Sequence, residues 1–172
     1  MTGLDSEKQV IVEIATMITD NQLHILDEGP NIAINHSEEA LLEMEEWSRS
    51  HHQASGLLDR VLGSSHDCQM AEEETLEFLS RHCKEGKSPM CGNSVWQDRR
   101  FLIRHMPRLE SFFHYRMIDV SSFKEVITRW YPSVPAYQKK KAHLALMDIK
   151  ESINELKYYR RIMFSQNNQT SE

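Results

Sequence analysis

Three side chains with acid–base character lie in two short segments of this chain. Segment 91–101 (CGNSVWQDRRF) contains Asp98, and segment 143–152 (HLALMDIKES) contains His143 and Asp148. Two carboxylates can hold divalent cations, and a nearby imidazole can take a proton from water. Together these groups are the components of a metal-dependent phosphodiesterase site, which is the first hypothesis that the sequence offers.

Each of these residues also has an ordinary structural explanation. Asp98 stands near the start of a predicted helix, where a carboxylate interacts favourably with the helix dipole. Asp148 has apolar neighbours, and an acid in such a place is costly to bury unless it is paired or metal-bound. His143 and Asp148 are about 140° apart around a regular helix. His143 must therefore precede the helix to join Asp148, and a single histidine is more often an ordinary polar residue than a catalyst.

The rest of the sequence predicts an α/β domain. Strands are expected at 9–19, at 24–26 and 31–34 on either side of Gly29–Pro30, at 90–92 and at 115–120. Helices are expected at 37–50 with Ser37 as N-cap, at 67–82, at 95–105, from Ser121 or Ser122 to 131, and at about 141–163. Strands followed by helices interleaved with strands indicate a mixed sheet flanked by helices. We expect a single domain over residues 1–164 and a polar tail at 165–172.

Composition narrows the function classes. The chain has 172 residues, with 40% hydrophobic and 27% charged residues, as is ordinary for one soluble globular domain. No apolar run approaches the roughly 20 residues of a membrane helix, and Met1 does not begin a signal peptide. Cys68, Cys83 and Cys91 lack CxxC spacing and indicate reduced thiols. We therefore expect a cytoplasmic protein without a membrane partner, or a mitochondrial one if it is eukaryotic and a targeting segment precedes Met1.

The net charge of −6 bears on the length of nucleic acid that the chain can bind. Proteins that follow a long nucleic acid usually carry a basic stripe, and the basic clusters here are small. The charge argues against a long polyanion, but not against a very short one that is held mainly by a metal.

Several motifs occur together in one order along the chain: TGLD at 2–5, GNSVWQDRRF at 92–101, HYRMIDVS at 114–121, WYP at 130–132, HLALMDIKES at 143–152 and ELKYYR at 155–160. In these motifs the chain resembles oligoribonuclease, the exoribonuclease family of the DEDD superfamily that has a catalytic histidine. The resemblance runs from Thr2 to about Tyr159. It implies a ribonuclease H-like fold, a homodimer, and 3′→5′ hydrolysis of very short RNA, especially dinucleotides, to 5′-mononucleotides with two divalent metals, Mg²⁺ or Mn²⁺.

The resemblance also implies a catalytic role for three residues. Asp98 and Asp148 would be metal carboxylates, and His143 would be the general base that deprotonates the attacking water. We therefore expect the carboxylates of Asp98 and Asp148 to lie within about 8 Å of each other, so that they can share one pair of metals.

Six further residues would bind the substrate by the same resemblance. Leu4 and Trp47 would lie on either side of the bases, although a tryptophan on an amphipathic helix is more often a core residue. Three others would form a cap around the 5′ phosphate: Ser94, Arg116 and Ser121. Tyr115 would reach into the partner subunit's site. A closed cap would exclude longer chains and would explain how an acidic protein acts on RNA.

The sequence departs from the family pattern in two places. Met147 stands where the family usually has a second acid beside the metal ligand. Family members also begin with a strand that ends in Asp-x-Glu, directly before the segment that starts here at Met1. Two of the four metal carboxylates and the first, central strand would then be missing. We therefore expect little nuclease activity from residues 1–172 alone.

Two other hypotheses stay open beside the exoribonuclease. The first is a truncated or inactive relative that binds short oligonucleotides without cleaving them. The second is a structural or partner-binding domain, which suits the composition but leaves the joined motifs unexplained. Magnesium-dependent turnover would separate the enzyme from the binding module, and binding of a 5′-phosphorylated dinucleotide would separate the binding module from the structural domain.

Overall fold

A computed structural model describes residues 1–139 and 144–164 of the chain. His143 and the polar tail 165–172 lie outside the described residues. The described part contains four strands: β1 Glu13–Thr19, β2 Ile25–Ala33, β3 Pro89–Gly92 and β4 His114–Asp119. It also contains eight helices: α1 Glu38–Leu42, α2 Glu46–Ala54, α3 Leu57–Leu62, α4 Cys68–His82, α5 Val95–His105, α6 Pro107–Phe112, α7 Val120–Trp130 and α8 Ala145–Phe164. The predicted α/β class is confirmed.

The four strands form two separate two-stranded sheets. β1 pairs with β2 in an antiparallel arrangement, and β3 pairs with β4 in a parallel one. Helices α5 and α6 make the crossover between the parallel strands, as parallel pairing requires. Both pairings of the expected mixed sheet are thus present, but within residues 1–139 and 144–164 no strand joins the two sheets into one. The long helix α8 instead packs against both β1 and β3.

The first hairpin differs from the expected strands in two respects. β1 starts at Glu13 rather than at Gln9 and is half-buried along its length, and among the described residues it pairs with β2 alone. β2 is continuous through Gly29–Pro30, where a break was expected. Ala15 faces Asn31 and Met17 faces Glu28, so β2 has one extra residue there. This bulge accommodates Pro30, which has no backbone N–H to donate to the ladder.

The predicted helices α4 and α5 are present, whereas the helix expected at 37–50 is divided. Ser37 caps α1 as predicted, but a second helix begins only after Glu45. The Glu45 N–H donates to the Thr2 carbonyl at 2.9 Å, and the guanidinium of Arg49 caps the Leu41 carbonyl at 2.7 Å. A contact with the distant start of the chain therefore interrupts a locally favourable helix.

Helix α7 begins two or three residues earlier than expected, because Ser121 or Ser122 was expected as its N-cap. Its N-cap is Asp119, whose carboxylate accepts the backbone N–H of Ser121 at 2.9 Å; the expected caps Ser121 and Ser122 were wrong. The short helices α3 and α6 were not predicted. A left-handed glycine, Gly56, precedes α3, and Pro107 occupies the first turn of α6, a position that suits proline.

The main core lies between the first hairpin and helices α4, α5 and α6. Its fully buried members include Ile34, Ala71, Phe101 and Met106. A separate cluster around Val120 and Tyr159 joins α7 to α8. These contacts fix the start of α5, the end of β4 and the body of α8 relative to one another. In the described part of the chain, no helix has the length and apolar character needed to cross a membrane.

Candidate active site

The predicted phosphate-binding serines meet where β3 and β4 end. The Ser94 N–H donates to Asp119 Oδ1 at 2.9 Å and to Ser121 Oγ at 3.1 Å. The Ser121 N–H donates to the same Asp119 oxygen at 2.9 Å. The two serine hydroxyls are 3.3 Å apart. We call Ser94, Asp119 and Ser121 the cap cluster.

Ser94 has a left-handed backbone with φ of 51°, which is uncommon outside glycine. Such a conformation costs on the order of 1 kcal/mol. The two hydrogen bonds that its N–H donates offset that cost. The Ser94 side chain itself is exposed. The cluster thus presents two hydroxyls, either of which can donate to a phosphate oxygen.

The two predicted base-stacking residues, Leu4 and Trp47, are exposed and lie on neighbouring backbone segments; we call this pair the apolar platform. Leu4 is 66% exposed and Trp47 is 64% exposed. The Leu4 N–H donates to Glu45 Oε1 at 3.3 Å, two residues before Trp47. The indole of Trp47 stacks on the His51 ring with centroids 3.9 Å apart. The alternative interpretation of Trp47 as a core residue is wrong.

Backbone hydrogen bonds hold the loop that carries Leu4. The Thr2 N–H donates to the Val10 carbonyl at 2.9 Å, and the Val10 N–H donates to Thr2 Oγ1 at 2.9 Å. Thr2 is fully buried, so this closed loop is anchored from the inside. The side chain of Gln97 on α5 also donates to the Leu4 carbonyl. Helix α5 therefore connects the apolar platform to the cap cluster at its own start.

Asp98 lies on the first turn of α5, directly after Gln97, and is partly buried. Burial raises the pKa of its carboxyl to about 6, and the nearby Asp119 carboxylate acts in the same direction. Asp98 is therefore a carboxylate whose ionised form a bound cation would stabilise.

Asp148 is exposed on the first turn of α8. Its N–H donates to the Leu144 carbonyl at 2.9 Å, and its own carbonyl accepts the Ser152 hydroxyl at 2.8 Å. The first residue of the helix, Ala145, donates its N–H to the buried carboxylate of Glu13 at 2.9 Å. The start of α8 is thereby attached to β1. The convergence of Asp98 and Asp148 stays a prediction, as does the role of His143.

Arg116 and Tyr115 are both exposed on β4. The guanidinium lies over the Tyr115 ring, 5.3 Å from its centroid, and Tyr115 also stacks on His114 with centroids 4.5 Å apart. The part of Arg116 in the cap and the contact of Tyr115 with a partner subunit stay predictions.

A metal site requires several ligands that lie close together. Among the described residues, no group of three or more histidine, cysteine, aspartate or glutamate side chains is arranged to hold a metal ion. The raised pKa of Asp98 fits a metal ligand, whereas the position of His143 lies outside the description.

Sequence reasoning missed three residues that organise this site. Asp119 holds both cap serines, and the Asp-Val-Ser-Ser sequence at 119–122 could have revealed it as a helix N-cap. Gln97 fixes Leu4, and Asn93 contacts Ser121 with its amide at 3.4 Å. The contacts of Gln97 and Asn93 are with residues far away along the chain, so no local pattern indicates them.

Comparison with known proteins gives consistent matches over nearly the whole chain. Residues 1–156 match the family model described as Exonuclease, RNase_T. An oligoribonuclease of Shewanella loihica is 56% identical over 165 residues, which cover 95% of this chain and 91% of the relative. An oligoribonuclease of Ruthia magnifica is 53% identical over 166 residues, covering 96% and 92%, and one of Vibrio vulnificus is 54% identical over 165 residues, covering 95% and 91%.

Proposed function

The chain belongs to the oligoribonuclease family of exonucleases, and from this membership we propose that it degrades very short oligoribonucleotides from the 3′ end to 5′-mononucleotides. The observation that supports this best is the arrangement along α5. Ser94 of the cap cluster precedes the helix, Gln97 fixes Leu4 of the apolar platform, and Asp98 follows directly. A group for the 5′ phosphate, a group for the bases and a carboxylate for the reaction are thus attached to one rigid element.

Asp98 and Asp148 are the proposed metal carboxylates, and His143 is the proposed general base. Divalent cations such as Mg²⁺ or Mn²⁺, when bound, would polarise the scissile phosphate and stabilise the developing charge. Asp98 would contribute an anionic oxygen that is partly shielded from water, where its attraction to a cation is stronger than at the surface. His143 would accept the proton of the attacking water.

The binding residues divide the substrate between them. Leu4 and Trp47 would stack on the bases without choosing among them, because every base has an aromatic face. Ser94 and Ser121 would donate hydroxyl hydrogen bonds to the 5′ phosphate, and Arg116 would add a planar charged fork. This division favours a substrate with one terminal phosphate and few bases.

We also propose a homodimer in which Tyr115 approaches the partner's site. The exposure of Tyr115, at 70%, supports this because aromatic residues are enriched in protein interfaces. Light scattering at micromolar concentration tests it, and a monomer would contradict it. A cytoplasmic location is proposed as well, with support from the free thiols of Cys68, Cys83 and Cys91.

The proposed activity is tested with 5′-phosphorylated RNA of two to twelve nucleotides. In a form extended before Met1 by a strand that ends in Asp-x-Glu, and with Mg²⁺ or Mn²⁺, we expect mononucleotide release from the dinucleotide to be far faster than from chains of ten or more. Because the protein has a net charge of −6, the additional phosphates of a longer chain add little to the binding free energy. Arg116→Ala is expected to weaken dinucleotide binding and to reduce the length preference.

Two results would contradict the proposal. Equal rates on short and long RNA would remove the cap as the basis of selectivity. Tight binding of the dinucleotide by that extended form without turnover, with either metal, would favour the non-catalytic binding module instead.

A further inference from the structure

The side chain of Asn93 lies between the cap cluster and helix α8. Its amide nitrogen donates to Ser121 Oγ at 3.4 Å and to Glu155 Oε2 at 2.9 Å. Its amide oxygen accepts from Lys139 Nζ at 2.7 Å and from Ser152 Oγ at 2.6 Å. All the usual hydrogen-bonding positions of the amide are therefore occupied.

The chemistry of the partners fixes the orientation of this amide. A carboxylate can only accept a hydrogen bond and an ammonium group can only donate one. The nitrogen of Asn93 must therefore face Glu155, and the oxygen must face Lys139. Rotation of the amide by 180° would place its oxygen against the Glu155 carboxylate, which are two acceptors, and its nitrogen against the Lys139 ammonium, which are two donors.

Glu155 is the buried anion at the centre of this arrangement. Its side chain is 2% exposed and pairs with Lys139 at 2.8 Å. Its other carboxylate oxygen accepts the hydroxyl of Tyr159, also buried, at 2.8 Å. Burial alone would favour the protonated acid, but the hydrogen bonds from Lys139, Tyr159 and Asn93 together lower the pKa of Glu155 below its ordinary value. A satisfied buried network of this kind holds its members in one geometry.

The network connects parts of the molecule that have separate tasks. Asn93 directly precedes Ser94, and its nitrogen contacts Ser121, so it adjoins both cap serines. Ser152 lies one helical turn after Asp148, and its single hydroxyl proton is shared between the Asn93 amide oxygen at 2.6 Å and the Asp148 carbonyl at 2.8 Å. Asn93 is thus the residue through which the cap cluster and the start of α8 are linked by side-chain hydrogen bonds.

We propose that Asn93, held by Glu155, is a positioning residue that sets the cap cluster relative to the proposed metal-ligand helix and thereby determines recognition of the substrate's 5′ phosphate. The inference rests on the proposed function, because it concerns the same substrate. Asn93 itself need not touch the RNA. Its effect is to hold the Ser121 hydroxyl beside that of Ser94.

The test compares the affinities for a dinucleotide with a 5′ phosphate and the same dinucleotide with a 5′ hydroxyl. Ca²⁺ replaces Mg²⁺ in the titrations, because it also takes oxygen ligands but tolerates irregular geometry. For the parent protein we expect clearly tighter binding of the phosphorylated form. Asn93→Asp keeps the side-chain volume but replaces the donor to Glu155 with an acceptor. We expect it to lower the phosphate preference about tenfold, with little change in affinity for the hydroxyl form, which the apolar platform holds.

A second variant restores the lost hydrogen bond with its direction reversed. In Asn93→Asp combined with Glu155→Gln, one amide and one carboxylate again face each other beside Lys139. The double variant is expected to recover most of the phosphate preference. The matched control is Asn35→Asp, which makes the same change at an asparagine that bonds the Val61 carbonyl at 3.1 Å in another part of the fold.

The outcomes separate this inference from the proposed function. A parent that does not distinguish the two dinucleotides overturns the cap assignment and this inference with it. A parent that does distinguish them, with an unchanged preference in Asn93→Asp, overturns the inference alone. A lower melting temperature with the same preference would identify Asn93 as a merely structural residue, and an equal loss in Asn35→Asp would attribute the effect to net charge.

Discussion

The cap cluster and the apolar platform are both exposed to solvent, yet they are held in place in different ways. In the cap cluster the functional groups are themselves bonded to one another, with both serine N–H groups on a single Asp119 oxygen. In the platform the side chains of Leu4 and Trp47 are exposed, and the surrounding backbone is fixed by Thr2, Val10 and Glu45. Polar recognition requires donors in defined directions, whereas stacking requires only an accessible apolar surface in the right place.

The two regions also differ in what they contribute to stability. Removal of an exposed apolar side chain usually changes the free energy of unfolding by no more than about 0.5 kcal/mol. Removal of the Asp119 carboxylate takes away a helix N-cap and the hydrogen bonds that stabilise the left-handed Ser94. We therefore expect binding and stability to be separable at the platform and coupled at the cap cluster.

Asp98→Asn is expected to have the largest effect and provides the reference for the others. The variant removes a proposed metal ligand but leaves both binding regions in place. Loss of an outer-shell partner of a metal site typically costs about 10–100-fold in activity, so we expect a loss of more than about 100-fold here. Because burial opposes the charged form of Asp98, the melting temperature at pH 7 should not fall. Hydrolysis of a dinucleotide by the form extended with Asp-x-Glu before Met1 measures activity, and thermal unfolding measures stability. Nearly full activity of Asp98→Asn would contradict the assignment of Asp98 as a metal ligand.

Trp47→Ala tests the platform side of the comparison. Stacking on an aromatic residue contributes about 1–3 kcal/mol per base, so dinucleotide affinity should fall by a factor of about 5 to 150. The free energy of unfolding should stay within about 0.5 kcal/mol of the parent. Leu42→Ala is a suitable control, because Leu42 is 73% exposed on the neighbouring helix α1. A large loss of stability in Trp47→Ala, or an equal loss of affinity in both variants, would contradict the assignment.

Trp47 also shows where sequence reasoning reaches its limit. The three-residue spacing of Leu41, Met44 and Trp47 predicts one buried helix face, and Leu41 and Met44 are indeed buried. The contact between Glu45 and Thr2 ends that helix early and begins a new one, which turns Trp47 outward. This contact joins residues that are far apart in sequence, so local periodicity does not reveal it.

Other elements were predictable because their signals are local. Helix α5 has its expected bounds, Val95–His105, since a turn precedes it and Pro107 follows it. Helix α4, expected at 67–82, runs from Cys68 to His82 with Asp67 as its N-cap. The bulge at Gly29–Pro30 and the network around Asn93 depend on pairing and packing between distant segments. The pairing of Ser94 with Ser121 was expected from the family resemblance alone, and the structure adds Asp119 as its physical cause.

Asp119→Ala tests the cap side of the comparison. Loss of an N-cap carboxylate costs about 0.5–2 kcal/mol, and Ser94 also loses a partner for its N–H. We expect a lower stability of this size together with a smaller preference for a 5′-phosphorylated dinucleotide. Denaturant unfolding and paired binding titrations measure the two effects. If the preference falls while stability is unchanged, the coupling expected at the cap cluster is absent.

The smallest expected effect is a pH dependence of stability at Glu155, the anion behind the cap cluster. Although burial acts in the opposite direction, hydrogen bonds from Lys139, Tyr159 and Asn93 lower the pKa of Glu155 below its ordinary value of 4.5. The unfolded chain therefore binds more protons at this site than the folded protein does as the pH falls below 4.5. The stabilisation from the ionised carboxylate is fully present above pH 4.5 and is lost as the pH falls through the folded-state pKa. In Glu155→Gln this contribution is missing at every pH.

The difference in unfolding free energy between the parent and Glu155→Gln should consequently be largest near neutral pH and should shrink in the acid range. Urea unfolding at several pH values between 3 and 7 would measure it, with Glu125→Gln as the control for removal of one exposed carboxylate. Glu125 pairs with Arg129 on the surface of α7, where solvent screens the interaction. A difference that stays constant or grows on acidification would mean that the charge of Glu155 does not stabilise the network. The link between the cap cluster and α8 would then depend on packing alone.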